Sequence, residues 1–326
     1  MSRNLAPLSL AASLLAGMAV ADAPNVAVDI APVHSLVTRV MGDLGEPSLI
    51  VAPGASPHEY SLRPSEAAAL QNADLVFWVG HDLTPWLEDA VDTLASDATV
   101  VELIEADGTT ELPVREGALF DAHEHGDAEH DGESHAGHDE DHDSAHEEDE
   151  HAGHDHGGHD PHAWLSVENG AAWLNAIAAA LSAADPDNAG AYYANAAAGR
   201  EELTALRAEI NGILDPVRGR KFVVFHDAYQ YFELDFDFPA SGAISVSDAT
   251  DPSPARIAEI QHRIADQGVT CIMSEPQFNP GIVAAVMDGS DARTGVMDPL
   301  GSDLEPGAAL YPQLLRNLAT SLADCL

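Results

Sequence analysis

The chain is short of positive charge. Its 326 residues include 13 Lys and Arg against 55 Asp and Glu, for a formal net charge of −42. Affinity for nucleic acid comes from basic groups that displace counterions from phosphates, so a nucleic-acid partner is excluded. The same deficit disfavours docking on an anionic membrane surface. Such a charge attracts cations. Cysteine is nearly absent: Cys271 and Cys325 are the only two, far too few for a miniprotein held together by disulfides. After Val20 no stretch is long and apolar enough to cross a bilayer. With 45% hydrophobic residues the chain can still bury a core, and its length admits one large domain or two of ordinary size.

The N-terminus reads as a cleavable signal peptide spanning residues 1–21. Arg3 opens it, Leu5 to Val20 is uncharged and mostly apolar, and Ala19-Val20-Ala21 supplies the small-x-small pattern of a cleavage site. Cutting after Ala23 instead would leave Pro24 beside the scissile bond, where it hinders a protease. No cysteine follows the apolar stretch, so no lipid anchor is expected. The mature protein is expected to be exported and soluble. Export places Cys271 and Cys325 in an oxidising compartment, where two cysteines commonly pair; the alternative is two buried thiols.

One segment differs from the rest. Residues 121–160 contain 11 His, 16 Asp or Glu and no Lys or Arg; the other 13 are Gly, Ala and Ser. Nothing in it can build a core, which predicts a disordered acidic loop. Its histidines are His123, His125, His130, His135, His138, His142, His146, His151, His154, His156 and His159. Imidazoles and carboxylates on a flexible chain offer several weak, exchangeable sites for a cation such as Zn²⁺, so the loop reads as an auxiliary collector; the bland alternative is a solvated spacer.

The flanks alternate strand and helix. Val26–Ile30, Ser48–Val51, Leu75–Val79 and Thr99–Leu103 read as strands, and Pro32–Met41, Pro64–Asn72 and Pro85–Leu94 as helices. Thr84-Pro85 looks like a helix start with proline in the first turn. After the loop comes a helical stretch, Ser166–Ala184, then a second opened by Asp185-Pro186 and running to about Leu214. Alternation resumes with strands at Phe222–Phe225, Ala243–Val246, Cys271–Ser274 and Thr294–Met297, and helices at Pro254–Gln267, Pro280–Met287 and Tyr311–Ala323. This pattern predicts an α/β protein of two lobes, each a mainly parallel sheet covered by helices, joined by one long helix. The expected division is a first lobe at 22–120, the loop at 121–160, a helix at 161–184 returning to the first lobe, a linking helix at 185–215 and a second lobe at 216–326.

Six histidines lie outside the loop: His34, His58, His81, His162, His226 and His262. His58 follows a strand and a Pro-Gly turn, His226 follows the strand ending at Phe225, and Asp298 follows the strand ending at Met297. Ligands of open α/β sheets bind beyond the carboxyl ends of strands. His162 sits where the loop rejoins folded chain. Three imidazoles with a carboxylate or water suit Zn²⁺. Spacing alone leaves the rival open that isolated histidines are structural or surface groups.

Five ordered motifs bear on that choice. Pro53-Gly54-Ala55-Ser56-Pro57-His58-Glu59-Tyr60-Ser61-Leu62-Arg63-Pro64-Ser65, Asp160-Pro161-His162-Ala163-Trp164-Leu165-Ser166 and Phe225-His226-Asp227-Ala228-Tyr229 resemble the three metal-ligand motifs of the cluster A-I (class III) metal-binding proteins of ABC transporters. Ser274-Glu275-Pro276-Gln277-Phe278 and Met297-Asp298-Pro299-Leu300-Gly301 resemble later segments of the zinc-specific branch. The resemblance runs from about Val26 to Leu326. It implies two α/β lobes bridged by a long rigid helix, with His58, His162 and His226 as zinc ligands. Manganese binders of the family carry Glu at the third position, and imidazole there favours zinc. The fourth ligand is implied to be Asp298, with water, Glu59 or a loop histidine as alternatives; the Glu that precedes the first histidine in some members is Pro57 here. Cys271 and Cys325 match positions that pair in zinc-specific relatives. The resemblance further implies a periplasmic monomer, not an enzyme, that hands Zn²⁺ to the membrane permease of an ABC importer. A zinc hydrolase would need a general base, for which Glu59 or Asp227 would have to serve, and no HExxH motif exists. His34 is expected near the cleft or structural, His81 and His262 on the surface, Phe77, Trp78 and Trp86 in the core, and Arg220 and Lys221 solvated.

Overall fold

The structure is a computed structural model; it describes residues 23–115, 158–245 and 252–326. The expected signal peptide, and every loop histidine except His159, lie outside these residues. The first lobe contains β1 (Val26–Val28), α1 (Ala31–Met41), β2 (Ser48–Leu49), α2 (Pro64–Gln71), β3 (Leu75–Trp78), α3 (Pro85–Leu94) and β4 (Thr99–Glu102). Its strands form one parallel sheet in the order β2-β1-β3-β4. β1 and β3 are apolar and buried throughout, as a parallel sheet covered on both faces requires. Proline within the first turn starts α1, α2 and α3, where a missing N–H costs no hydrogen bond.

The chain then passes through α4 (Val167–Ala184) and α5 (Ala189–Leu214). Ser166 caps α4 by accepting from the Asn169 amide. A short 3₁₀ turn, Pro186–Asn188, precedes α5, so the long helix begins later than the Asp185-Pro186 pair suggests. At 26 residues α5 is about 39 Å long. Its buried stripe, Tyr192, Ala196, Gly199, Leu203, Leu206, Ile210 and Leu214, recurs every three or four residues and packs on α1 and α4.

The second lobe contains β5 (Phe222–His226), α6 (Gln230–Phe236), β6 (Ala243–Ser245), α7 (Pro254–Gln267), β7 (Cys271–Ser274), α8 (Pro280–Met287), β8 (Arg293–Val296) and α9 (Leu310–Cys325). Its parallel sheet has the order β6-β5-β7-β8, the same topology as the first. The expected strands and helices are present, and α6 is an addition. One apolar cluster joins the lobes: Val28, Leu174, Leu206, Val224 and Leu315 all belong to it, because α5 and α9 pack together and α9 reaches α1. Ion pairs Arg39–Glu202 and Arg316–Glu209 fasten α1 and α9 to α5. Cys271, first in β7, and Cys325, last in α9, form a disulfide with Cα atoms 5.8 Å apart. Among the described residues no helix is long and apolar enough to cross a membrane.

The far end of the segment assigned to the loop is folded. Gly158 O accepts from Val114 N (3.1 Å) and Asp160 N donates to Leu112 O (2.8 Å), so ordered chain resumes before Pro161. Short backbone pairing with residues 112–114 replaces the disorder expected through Asp160. His159 itself bridges to Pro113 and its amide donates to Asp82 (3.1 Å).

Candidate metal centre

Each of the three motif histidines is delivered by a different device. His58 lies beyond β2. Ile50 and Val51 continue the pairing with β1, Pro53-Gly54 turns the chain, and Gly54 takes φ +80°, a left-handed conformation that favours glycine. The Trp86 indole donates to Pro57 O (2.7 Å) and the His58 amide to Ser56 Oγ (3.2 Å), which fixes the turn carrying His58. His58 is half-buried.

His162 follows the Leu112–Asp160 pairing. The Tyr231 hydroxyl, from α6, donates to Asp160 O (2.9 Å) and accepts from Leu112 N (3.0 Å), so the second lobe stitches both sides of this stem. The Trp164 indole, 5.3 Å from the His162 ring, donates to Pro299 O (2.7 Å). His226 is the last residue of β5, with Glu275 immediately after the neighbouring β7. The strand order reverses between β5 and β7, so this pair sits at the topological switch point where α/β sheets bind ligands.

Carboxylates orient two of the rings. His162 Nδ1 lies 2.7 Å from Asp160 Oδ1, and His226 Nδ1 lies 2.7 Å from Glu275 Oε1. With a carboxylate accepting at Nδ1, that nitrogen carries the proton and Nε2 presents its lone pair. The two Nε2 atoms face each other at 3.4 Å. Tetrahedral zinc with Zn–N distances of about 2.0–2.1 Å separates two ligand nitrogens by about 3.4 Å, so this pair is already spaced for the ion. One nitrogen from each of His58, His162 and His226 lies within 4.8 Å of the others; among the described residues this is the one such group of three or more. His58 therefore needs to close by at most about 1.4 Å to complete a tetrahedral face.

Burial pushes the Asp160 carboxyl up to about 7, against the lowering pull of the His162 amide, Arg115 and the imidazoles. Burial likewise raises Glu275, with His226 opposing. Asp227, next to His226, and Glu233 of α6 are also raised by burial, and Arg115 between them opposes the shift. Arg115 Nε donates to Asp227 (2.9 Å) and Nη1 to Glu233 (2.8 Å), joining the first lobe to the second beside the site. A cleft of about 260 Å³ opens beside the imidazoles, lined by Asp82, Arg115 and His159 among others.

The other candidates stand apart from this group. Both Asp298 oxygens are engaged: Oδ1 accepts from Gln277 Nε2 (3.1 Å) and Leu300 N (3.0 Å), Oδ2 from Ser302 N (2.6 Å). His34 is buried and structural, its Nε2 at 3.0 Å from Pro47 O, and burial lowers its pKa. His81 pairs with Glu88 (2.6 Å) and exposed His262 with Asp266 (2.8 Å). Phe77 and Trp78 are core, whereas Trp86 also holds the His58 turn. Arg220 and Lys221 are both exposed, as expected, and Arg220 also donates to Leu326 O (2.6 Å). Sequence reasoning missed the orienting roles of Asp160 and Glu275 and the Arg115 clamp. Asp160 and Glu275 lie inside the quoted motifs, and that was the available signal; nothing marked Arg115.

Two parallel α/β lobes on a common long helix, with three imidazoles gathered between them, define a two-lobed solute-binding protein with a candidate metal site. Residues 26–325 match the family described as zinc-uptake complex component A, periplasmic, and the chain belongs to that family. It is 45% identical over 331 residues to the high-affinity zinc uptake system protein ZnuA of Brucella abortus, covering 99% of each chain. It is 46% identical over 308 residues to the ZnuA of Paracoccus denitrificans, covering 94% of this chain and 93% of that one. A crystal structure of ZnuA shares the fold with a TM-score of 0.73 at 24% identity, covering 93% of this chain and 99% of the other. A ZnuA deletion mutant with zinc bound matches at a TM-score of 0.71 and 25% identity, covering 93% and 98%.

Proposed function

We propose that the protein is exported by a signal peptide cleaved after Ala21, captures Zn²⁺ in the periplasm at His58, His162 and His226, and delivers it to the membrane permease of an ABC-type importer. The observation that carries this reading is the cluster of three imidazoles, two of them preset at 3.4 Å by buried carboxylates, in a chain of the zinc-uptake family. An all-imidazole triad suits zinc over manganese. Binding requires neutral rings, so affinity falls as pH drops through the histidine range. The protein works as a monomer without a lipid anchor, and as a binding component rather than an enzyme. The bridging helix limits lobe motion, so release depends on local change in the loops that carry the ligands and on contact with the permease.

The functional division follows the lobes at 22–120 and 216–326, with 161–184 returning to the first lobe, as the packing of α4 on α1 and β3 supports, and 185–215 linking the two. His123, His125, His130, His135, His138, His142, His146, His151, His154, His156 and His159 form an auxiliary low-affinity zinc collector whose ions are released next to His162. The fourth place on the tight ion falls to solvent rather than to Asp298, which does not join the three imidazoles in the group that could hold an ion and whose oxygens are held by Gln277, Leu300 and Ser302.

Titration of the purified mature protein with Zn²⁺ against a competing chelator tests the binding step, with one tight ion expected. Growth of a deletion strain under zinc limitation tests delivery. A zinc buffer without a transporter is dispensable there, and an importer component is not.

A further inference from the structure

Around the three imidazoles, each neighbouring carboxylate has at least one partner, although Glu275 Oε2 is buried without one among the described residues. Asp160 and Glu275 hold ring nitrogens, Asp227 holds Arg115, and Asp298 holds Gln277 and two backbone amides. Gln277, like the Ser56 hydroxyl on the same cavity, can both give and take a hydrogen bond. Its Nε2 donates to Asp298 Oδ1 and to Ser302 Oγ, both at 3.1 Å. A carboxylate accepts only, so the amide nitrogen must face Asp298 and the amide oxygen must face the other way. That oxygen is buried and has no hydrogen-bond partner among the described residues. A buried acceptor left unmatched is costly, and one that persists in a folded site calls for an explanation.

Gln277 also lines a small cavity with His58, His162, His226 and Glu275. Its volume is about 20 Å³. A single water needs at least about 10–15 Å³ by the same measure, so the cavity admits one water and little more. Water bound to a divalent cation is a strong donor and needs an acceptor beside it.

We infer that Gln277 decides what fills the fourth place on the zinc ion. Its amide N–H keeps the Asp298 carboxylate in its cradle, and its amide oxygen accepts a hydrogen bond from the water that completes the tetrahedron. This rests on His58, His162 and His226 being the ligands. The choice bears on specificity. A carboxylate in the fourth place adds a hard, charged oxygen and favours manganese, whereas a neutral amide accepting from water leaves the donor set suited to zinc. Gln277 is not one of the three ligands; it is a positioning residue.

Co²⁺ in place of Zn²⁺ in the full mature chain makes the coordination visible as an absorption band, and azide tests whether the fourth ligand can be replaced. The wild-type band is expected to shift on adding azide, because bound water exchanges. Gln277→Met removes both hydrogen bonds at nearly constant size. It is expected to shift the cobalt band before azide is added and to weaken zinc about tenfold, the lower end of losses for residues that orient a metal ligand. Gln277→Glu restores the acceptor but not the N–H that holds Asp298, so it should recover part of the zinc affinity lost in Gln277→Met while releasing Asp298 and narrowing discrimination against Mn²⁺. A wild-type band indifferent to azide, or a Gln277→Met protein with wild-type band and affinity, overturns the inference. If Gln277→Met fails to fold, the azide response and the Gln277→Glu protein decide. Failure of Co²⁺ and Zn²⁺ to bind the wild type, or binding unaffected by His226→Ala, breaks the three-histidine reading instead.

Discussion

The two lobes share one topology and use it differently. Each has a four-stranded parallel sheet whose order reverses between its two central strands. In the second lobe that switch point carries the His226–Glu275 pair, with His226 Nε2 facing His162 Nε2. In the first lobe it is occupied by Asp29, which follows β1, is fully buried and accepts from the Ile30 and Val79 amides at 2.7 Å each. With its switch point filled by a structural carboxyl, the first lobe places His58, its proposed ligand, on the turn after β2. His226 is therefore set by a buried strand and a buried acid, and His58 by a half-buried turn held through Trp86. The fold offers two equivalent positions, and side chains decide which one does chemistry.

The lobes also differ in covalent support, and removing that difference should give the largest effect. The Cys271–Cys325 bond spans a sequence separation of 54 and lies in the second lobe. Cys271→Ser with Cys325→Ser should cost about 4 kcal/mol on the chain-entropy argument, seen as a lower midpoint in chemical unfolding. Thiol labelling of the native exported protein should detect no free cysteine, and two labelled thiols would rule the bond out.

Ligand removal comes next. His58→Ala, His162→Ala and His226→Ala should each lower zinc affinity by more than the 10- to 100-fold typical of orienting residues. His226→Ala should also destabilise the metal-free fold most, because Glu275 loses its partner while buried. If His58→Ala retains wild-type affinity in a chelator competition, the first lobe supplies no ligand and the comparison fails. Glu275→Gln and Asp160→Asn should each cost about 10- to 100-fold in zinc affinity without removing the site.

Asp29 sharpens the contrast through pH. Burial raises its carboxyl from 3.8 to about 7. The folded protein keeps a proton there that the unfolded chain releases, so this contribution to stability is present at low pH and is lost as pH rises from 3.8 towards 7. Asp29→Asn has no such proton. Urea midpoints measured across that window should shift in favour of the variant as pH rises, and parallel profiles would refute the assignment. The smallest effect on the tight site is expected from deleting residues 124–156. The paired stem at Val114 and Gly158 brings the ends together, so calorimetry should find one tight ion retained and the weaker ones gone. Loss of the tight site would make a residue of that segment its fourth ligand.

Much of this was legible before any fold was known. Apolar runs bounded by Pro, Gly and Asp marked the strands and helices, because a buried parallel strand and a proline-started helix each leave a local pattern. Helix α6 was missed: seven residues are too few for a period, and its aromatic residues Tyr231, Phe232 and Phe236 read equally well as strand or loop. The partners of Glu275, Arg115 and Gln277 could not be read off for a different reason, although Glu275 and Gln277 lie inside a quoted motif. Glu275 is 49 residues from His226, and Arg115 is 112 from Asp227. No pattern along the chain encodes such pairs.

The amino-acid sequence by itself determined the charge, the α/β alternation, the three motif histidines and the pair of cysteines, since these are properties of single residues and their near neighbours. Only the tertiary structure decided which acids orient which rings, that both Asp298 oxygens are already engaged, and that one switch point presents His226 while its twin is filled by Asp29. Those outcomes depend on distances between residues far apart in the chain. Such distances are set by the packing of both lobes on α5, which no local preference specifies.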